Sequence, residues 1–274
     1  MTRIFLLFLL IGHSSFGQRL RTVSYSKETV YAINPKDTSQ KILLNIYIQD
    51  SCGNETSFIE YNFLDCQTFE TQTESALKVK DQGFREYIYK NKCKPVIVNV
   101  LDKDKKQIKR FLYTYNYNGT VNQLTIVDSK GNQTSRYKYE YDNKKRLVKE
   151  IRFNSKNSRD YITIYDYGKD TIAKEIRIDK IDNDTLICYY SYNNRKQLIV
   201  EEWYDKTDGD KEFEFSIYDG FDKTREIYLS PGQGISREYR MTYYKNGLLK
   251  TWLQVDVITG EILEYQLSEY DLVK

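Results

Sequence analysis

The 274-residue chain holds a single histidine, His13, and it lies close to the N-terminus. Beyond it there is no imidazole, which excludes Ser-His-Asp and Cys-His catalysis, histidine-ligated zinc and a histidine pH switch in the remainder of the chain. Carboxylate, Tyr, Lys and calcium chemistry stay open. No apolar run approaches the roughly 20 residues a transmembrane helix needs. No Gly-rich loop opens a helix, so a phosphate cradle is missing. The four cysteines include no CxxC spacing, which removes the usual redox and zinc signatures. Charge of one sign is missing as well. The net charge is +3, from 42 Lys and Arg against 39 Asp and Glu, and both signs are mixed throughout. This reads as a solvated surface rather than the one-sided footprint of a nucleic-acid binder. Even the basic cluster Lys103 to Arg110 opens around Asp104 and reads as a hairpin turn.

What is present begins with a positive start at Arg3, an unbroken apolar stretch from Ile4 to Ile11, and small residues at Ser15 and Gly17. These are the parts of a secretory signal peptide, with 1–17 as the signal and Gln18 as the first mature residue. The expected location is therefore exported: periplasmic, cell-surface or extracellular. An oxidising compartment permits pairing of Cys52, Cys66, Cys93 and Cys188, and the short loop from Cys52 to Cys66 is the expected first disulfide.

A Tyr followed by a polar turn residue recurs at Tyr117-Asn118, Tyr141-Asp142, Tyr165-Asp166, Tyr192-Asn193, Tyr218-Asp219, Tyr244-Lys245 and Tyr270-Asp271, at separations of 24, 24, 27, 26, 26 and 26 residues. Each interval holds two β-rich runs and a polar turn. The alternation is clear in places. Leu147, Ile151 and Phe153 share one face and Glu150 and Arg152 the other, and Phe213, Phe215 and Ile217 oppose Glu214 and Ser216. The expected fold is all-β: consecutive antiparallel hairpins in a meander with period 24–28, as an open or curled sheet, or alternatively a propeller. Residues 18–88 form an N-terminal hairpin segment and 89–274 the repeats, continuous with it. With 26 Tyr against 12 Phe and 2 Trp, the half-buried β surface is mostly tyrosine, and the Asp or Asn after each Tyr is expected to cap its turn.

The motif at Tyr141-Asp142 to Lys149 and at Tyr192-Asn193 to Glu201 resembles the YD repeat of the RHS family. Tyr243 to Lys250 resembles MORN-type repeats of the YwqK family. The resemblance covers residues 113–274 and implies a chain of hairpins of the kind exported to Bacteroidetes envelopes. The chain has no C-terminal toxin region, so the toxin-enclosing role does not carry over.

Candidate site residues are few. Trp203 and Trp252, with Tyr204 and Tyr243, form the candidate aromatic platform for a sugar or protein ligand. Asp205, Asp208 and Asp210 are weak calcium candidates in a turn that lacks the EF-hand spacing and its terminal Glu. No catalytic residue and no cofactor stand out. The function these features support is a non-catalytic binding module for an envelope protein or polysaccharide. The alternatives are an envelope scaffold that pairs through the strand edge at Tyr270 to Lys274, and a two-carboxylate glycan hydrolase.

Overall fold

The structure, a computed structural model, describes residues 25–34, 37–61, 79–91, 93–232 and 234–272. The expected signal segment, Cys66 and the stretch 62–78 lie outside the described residues. The strands in chain order are β1 Tyr25–Asn34, β2 Asp37–Gln49, β3 Glu55–Tyr61, β4 Val79–Asn91, β5 Lys94–Leu101, β6 Gln107–Tyr115, β7 Val121–Asp128, β8 Gln133–Tyr141 and β9 Leu147–Asn154. They continue as β10 Arg159–Tyr167, β11 Ile172–Asp179, β12 Asp184–Tyr192, β13 Leu198–Asp205, β14 Lys211–Asp219, β15 Asp222–Ser230, β16 Gly234–Tyr243, β17 Leu249–Val255 and β18 Ile262–Leu272.

Each strand pairs antiparallel with the next, and β18 returns to pair with β1, with Tyr25 opposite Leu272 and Val30 opposite Ser268. The 18-stranded meander is thus a closed β-barrel. Two expectations are corrected here. The sheet is neither open nor curled and is not divided into propeller blades. The edge-pairing alternative loses its edge, because Tyr270 to Leu272 is already taken up by β1 through Tyr270–Glu28 and Leu272–Tyr25. Closure satisfies the ladder groups that a free edge strand would leave unpaired.

The hairpin turns follow from their side chains. At residues 142–146 the Asp142 N–H donates to the Arg146 carbonyl and the Lys145 N–H to the Asp142 carbonyl, both at 3.0 Å. The Asp142 carboxylate accepts from the backbone of Lys144 and Arg146, each at 2.9 Å. Asp50, Asp102, Asp128, Asn154 and Asn193 repeat this arrangement. The cap expected after the repeat tyrosine is thus seen at Asp142 and Asn193, whereas Asp166 and Asp271 lie within strands. The fourth residue of the frame needs positive φ. Glycine fills it at Gly53, Gly119 and Gly131, but Lys105, Lys145, Asn157 and Lys196 also adopt it, at φ of 59–65°.

The repeat phase shifts from the sequence reading. The equivalent tyrosines are Tyr115, Tyr141, Tyr167, Tyr192, Tyr218 and Tyr243, and each directly follows a register shift in its ladder. Tyr117 instead sits fully exposed in a turn, and Tyr165 lies within β10. The repeat is therefore steadier than the 24–27 spacing implied, running at 25 or 26 residues.

Cys52 is bonded to Cys93, with Cα atoms 5.3 Å apart, not to Cys66 as expected. The β2–β3 and β4–β5 turns come to the same rim of the barrel because each pair of strands returns the chain there, and this brings two cysteines 41 residues apart within bonding reach. Cys188 is free and buried.

Candidate functional site

A closed sheet has one face inside, and the cross-strand register identifies it. Tyr139 opposes Glu150, Glu150 opposes Thr163, and Thr163 opposes Arg177. Tyr165, Glu175 and Cys188 form a second row, and Tyr190, Glu201, Glu214 and Tyr228 a third. Directly opposed side chains share a face, so these rows line one side of the wall. Burial pushes the phenols of Tyr139, Tyr165, Tyr190 and Tyr228 up, and the carboxyls of Glu150 and Glu201 likewise. The opposite face carries the exposed positions Thr134, Glu140, Asp166, Tyr189, Arg240 and Glu269. The Tyr- and Glu-bearing face is the lumen.

Alternation separates Glu150 and Arg152 from Ile151 and Phe153 and leaves open which set lies inside; closure puts the charged set on the inner face and the Ile and Phe set on the outer. The buried members of the inner face are of both sizes: Val30, Ala32, Val98, Val100, Ser135, Thr163, Cys188 and Ser216 are short, and Phe111, Leu124, Tyr139, Tyr165, Glu175 and Met241 are long. Tyr113, Tyr137, Trp203, Tyr239 and Trp252 are half-buried. Between β4 and β9 the lining is the most apolar, with Val98, Val100, Phe111, Leu124 and Tyr139 in one cluster.

From β9 to β15 the lining becomes ionic. Glu175, only 2% exposed, pairs with Arg177 and accepts from the Tyr190 hydroxyl at 2.8 Å. The Arg177 guanidinium lies 4.7 Å over the Trp203 ring, a cation–π contact. Lys223 pairs with Glu226. Glu201 and Glu214 face each other directly across two strands. Burial, and then the neighbouring Glu201, push Glu214 up to about 7, and Tyr228 hydrogen-bonds it. Burial also pushes the Cys188 thiol up, so it is held as the unreactive thiol. From β15 to β17 the wall becomes aromatic: Tyr228 meets Tyr239 edge-on at 5.6 Å, and Tyr239 stacks on Trp252 at 4.7 Å.

The four aromatic candidates separate. Trp203 and Trp252 are both lumenal but stand on β13 and β17. Tyr204 is outside, opposite Ile187 and Lys211. Tyr243 belongs to the rim tyrosines and donates to the Lys223 carbonyl at 2.8 Å. They do not form one platform. Glu150, Glu175, Arg177, Glu201, Glu214, Lys223, Glu226, Tyr228 and Tyr239 went unnoticed as site residues. The available signal was parity: Glu150, Glu175 and Glu214 sit in register with Tyr139, Tyr165 and Tyr228, and these tyrosines mark the inner face.

The weak calcium candidates Asp205, Asp208 and Asp210 lie in and beside the turn after β13. The Asp205 carboxylate is used by its own turn, accepting from the backbone N–H groups of Thr207 and Asp208. Among the described residues no group of three or more acidic, Cys or His side chains is placed to hold a metal.

The outer face is uneven. On β8 it presents Thr134, Arg136, Lys138 and Glu140, and on β16 Ser236, Glu238, Arg240 and Thr242, whereas from β9 to β15 it carries Ile151, Ile162, Ile164, Ile176, Ile187, Phe215 and Ile227. An Arg or Lys at mid-bilayer depth on a barrel's outer face costs about 2–4 kcal/mol. No helix among the described residues is long and apolar enough to cross a membrane.

No protein family matches the chain, and no curated protein does. Among solved structures it is similar to a porin-like protein from Bacteroides uniformis, at 13% identity and a TM-score of 0.46, over 92% of this chain and 99% of that one. A porin-like protein from Bacteroides vulgatus matches at 11% identity and a TM-score of 0.39, over 91% and 99%. A chain of the Photorhabdus luminescens Tc holotoxin pore matches at 11% identity and a TM-score of 0.30, over 82% of this chain and 14% of that one.

Proposed function

We propose that this chain is an exported, non-catalytic binding protein of the cell envelope, and that its ligand, a protein segment or a polysaccharide, is held inside the barrel. The observation that carries this reading is the lining. Tyr, Trp, Glu and Arg side chains are concentrated on the inner face of the closed wall, whereas from β9 to β15 the outer face is rich in Ile and Phe. A concave surface with aromatic bodies and a few fixed polar groups is the usual form of a ligand site. Export rests on the signal-like N-terminal sequence.

The test is to fill the lumen. Ser216 is 8% exposed and lies on the inner face of β14, in register with Glu226. Ser216→Trp projects an indole into the lumen, and Tyr204→Trp places the same change outside. Capture from fractionated envelope, scored for protein and glycan, is expected to fall at least tenfold with the inner variant only. Equal capture by both folded variants would overturn the lumenal reading.

One observation favours a second reading, the two-carboxylate hydrolase. Glu201 and Glu214 are directly opposed, and a carboxyl raised to about 7 keeps its proton near neutral pH, as a general acid must. Release of reducing ends from an envelope glycan, lost in Glu214→Gln, would establish it. No release by the wild-type protein would end it.

A further inference from the structure

Inside the barrel, the aromatic wall is interleaved with side chains that bond hydroxyl groups. Tyr239 opposes Gln254 on one neighbouring strand and Glu226 on the other. Trp252 opposes Gln266, whose amide donates to Glu264 at 2.7 Å. Tyr228 opposes Glu214 and bonds it. Rings therefore alternate with amide and carboxylate groups across β14 to β18, in both directions along the ladder. The three rings occupy three neighbouring strands, so they span about 10 Å at the usual strand spacing.

Two kinds of group are needed to hold a pyranose. One is a flat apolar surface for the C–H face of the sugar, and the other is a set of acceptors and amides for its hydroxyl rim. This wall supplies both side by side, and its extent suits two consecutive sugar rings. Its charge sets the class of sugar. Glu201, Glu214, Glu226 and Glu264 line this sector, and two cations stand among them, Lys223, already paired with Glu226, and Arg237, opposite Tyr228, so acids outnumber bases. A carboxylate or sulfate on the ligand would meet like charge in a partly desolvated space, where repulsion is poorly screened. A neutral hydroxyl or an ammonium would meet acceptors.

We propose that the lumenal wall from β13 to β18 is a glycan subsite that takes neutral or amino-sugar pyranoses and rejects polymers bearing carboxylate or sulfate. This deepens the lumenal binding reading and rests on it. The three strongest contacts are Trp252 and Tyr239 under the rings and Gln266 on the hydroxyl rim. The site lies away from the β4–β9 cluster, where Val98, Val100, Phe111 and Leu124 pack with tyrosines.

The experiment is calorimetric titration of the purified protein with three hexasaccharides: a neutral glucan, a chitosan and a polyuronate. Binding of the neutral or amino hexamer is expected, with no detectable binding of the uronate. Trp252→Ala and Tyr239→Ala are each expected to weaken it at least tenfold, and Tyr204→Ala to leave it unchanged. Trp252→Phe and Gln266→Ala preserve more of the packing and serve if the alanine variants do not fold; they are expected to weaken binding by a smaller factor. The uronate hexamer is expected to gain affinity in Glu214→Gln/Glu226→Gln. Uronate binding equal to neutral binding, or a neutral affinity unmoved by every Trp252 and Gln266 variant, overturns the subsite. If no hexamer binds but an envelope protein is captured and then lost in Ser216→Trp, the glycan inference fails while the lumenal reading stands. If hexamer binding survives Ser216→Trp and Trp252→Ala alike, both fail.

Discussion

Tyr167 donates its hydroxyl to the carbonyl of Leu147, 20 residues earlier, at 2.8 Å. Tyr115 does the same to Pro95 and Tyr243 to Lys223, each over the same interval of 20 residues. Each bond ties the end of one strand to the start of the strand before it, while the ladder to the following strand slips at the same residue. The rim tyrosine therefore fastens its strand to the preceding one where pairing with the next one shifts. The Arg146 guanidinium also lies 4.2 Å over the Tyr167 ring. Tyr167→Phe keeps the ring and this cation–π contact and removes only the hydrogen bond. A loss of about 1 kcal/mol is expected in urea unfolding, and Tyr167→Ala should lose more because the ring packing goes with it.

The Cys52–Cys93 bridge closes a loop of 41 residues. The chain-entropy account assigns a loop of that length about 4 kcal/mol, and measured values commonly fall in the range of about 2–4. Cys52→Ser, Cys93→Ser and the double variant are expected to be equally destabilised under oxidising conditions. Cys66→Ser should leave the 52–93 crosslink intact in peptide maps. A recovered 52–66 peptide would contradict the pairing.

Glu214 gives the barrel a pH dependence of definite sign. Its carboxyl is raised from 4.5 to about 7 in the folded protein, so between these values the folded chain binds more protons than the unfolded one. Stability must then fall as pH rises through that window. Glu214→Gln is expected to flatten urea midpoints between about pH 4.5 and 7 and to raise them at the upper end. A midpoint that rises with pH in the wild type and is unchanged in the variant would contradict the burial of this carboxyl.

Lys145 occupies a left-handed position at φ of 63° in the turn after β8. A side chain there carries strain that glycine does not, offset in part by the greater freedom of glycine in the unfolded chain. Lys145→Gly is expected to raise stability by up to about 1 kcal/mol, and Lys145→Val to lower it, measured by thermal unfolding.

Gly83 stands where a Cβ would come within 2.7 Å of the Phe58 ring and 3.3 Å of the Leu101 carbonyl oxygen. Gly83→Ala is expected to cost about 1–3 kcal/mol by overpacking. Pairing it with Phe58→Leu should recover part of the loss. A neutral Gly83→Ala would mean that the Phe58 ring gives way freely.

Local chemistry was legible in the chain. Alternation at Leu147 to Phe153 and Phe213 to Ile217 identifies strands because the side-chain period of an extended chain is 2. The Asp and Asn turns declare themselves because their carboxylates and amides bond the backbone two and four residues on, within the same short segment. Together these determined an antiparallel meander of hairpins with a steady period. The tertiary structure decided what depends on partners far along the chain. Closure rests on Tyr25 to Ala32 meeting Gln266 to Leu272, a contact across nearly the whole sequence that no repeat predicts. The disulfide follows from two turns sharing a rim. Above all, which face of each strand lies inside is a property of the closed wall. Glu150 and Ile151 alternate identically in an open sheet or a barrel, and only the curvature of the ring turns the charged set inward, where Glu201, Glu214 and the tyrosines converge on one space.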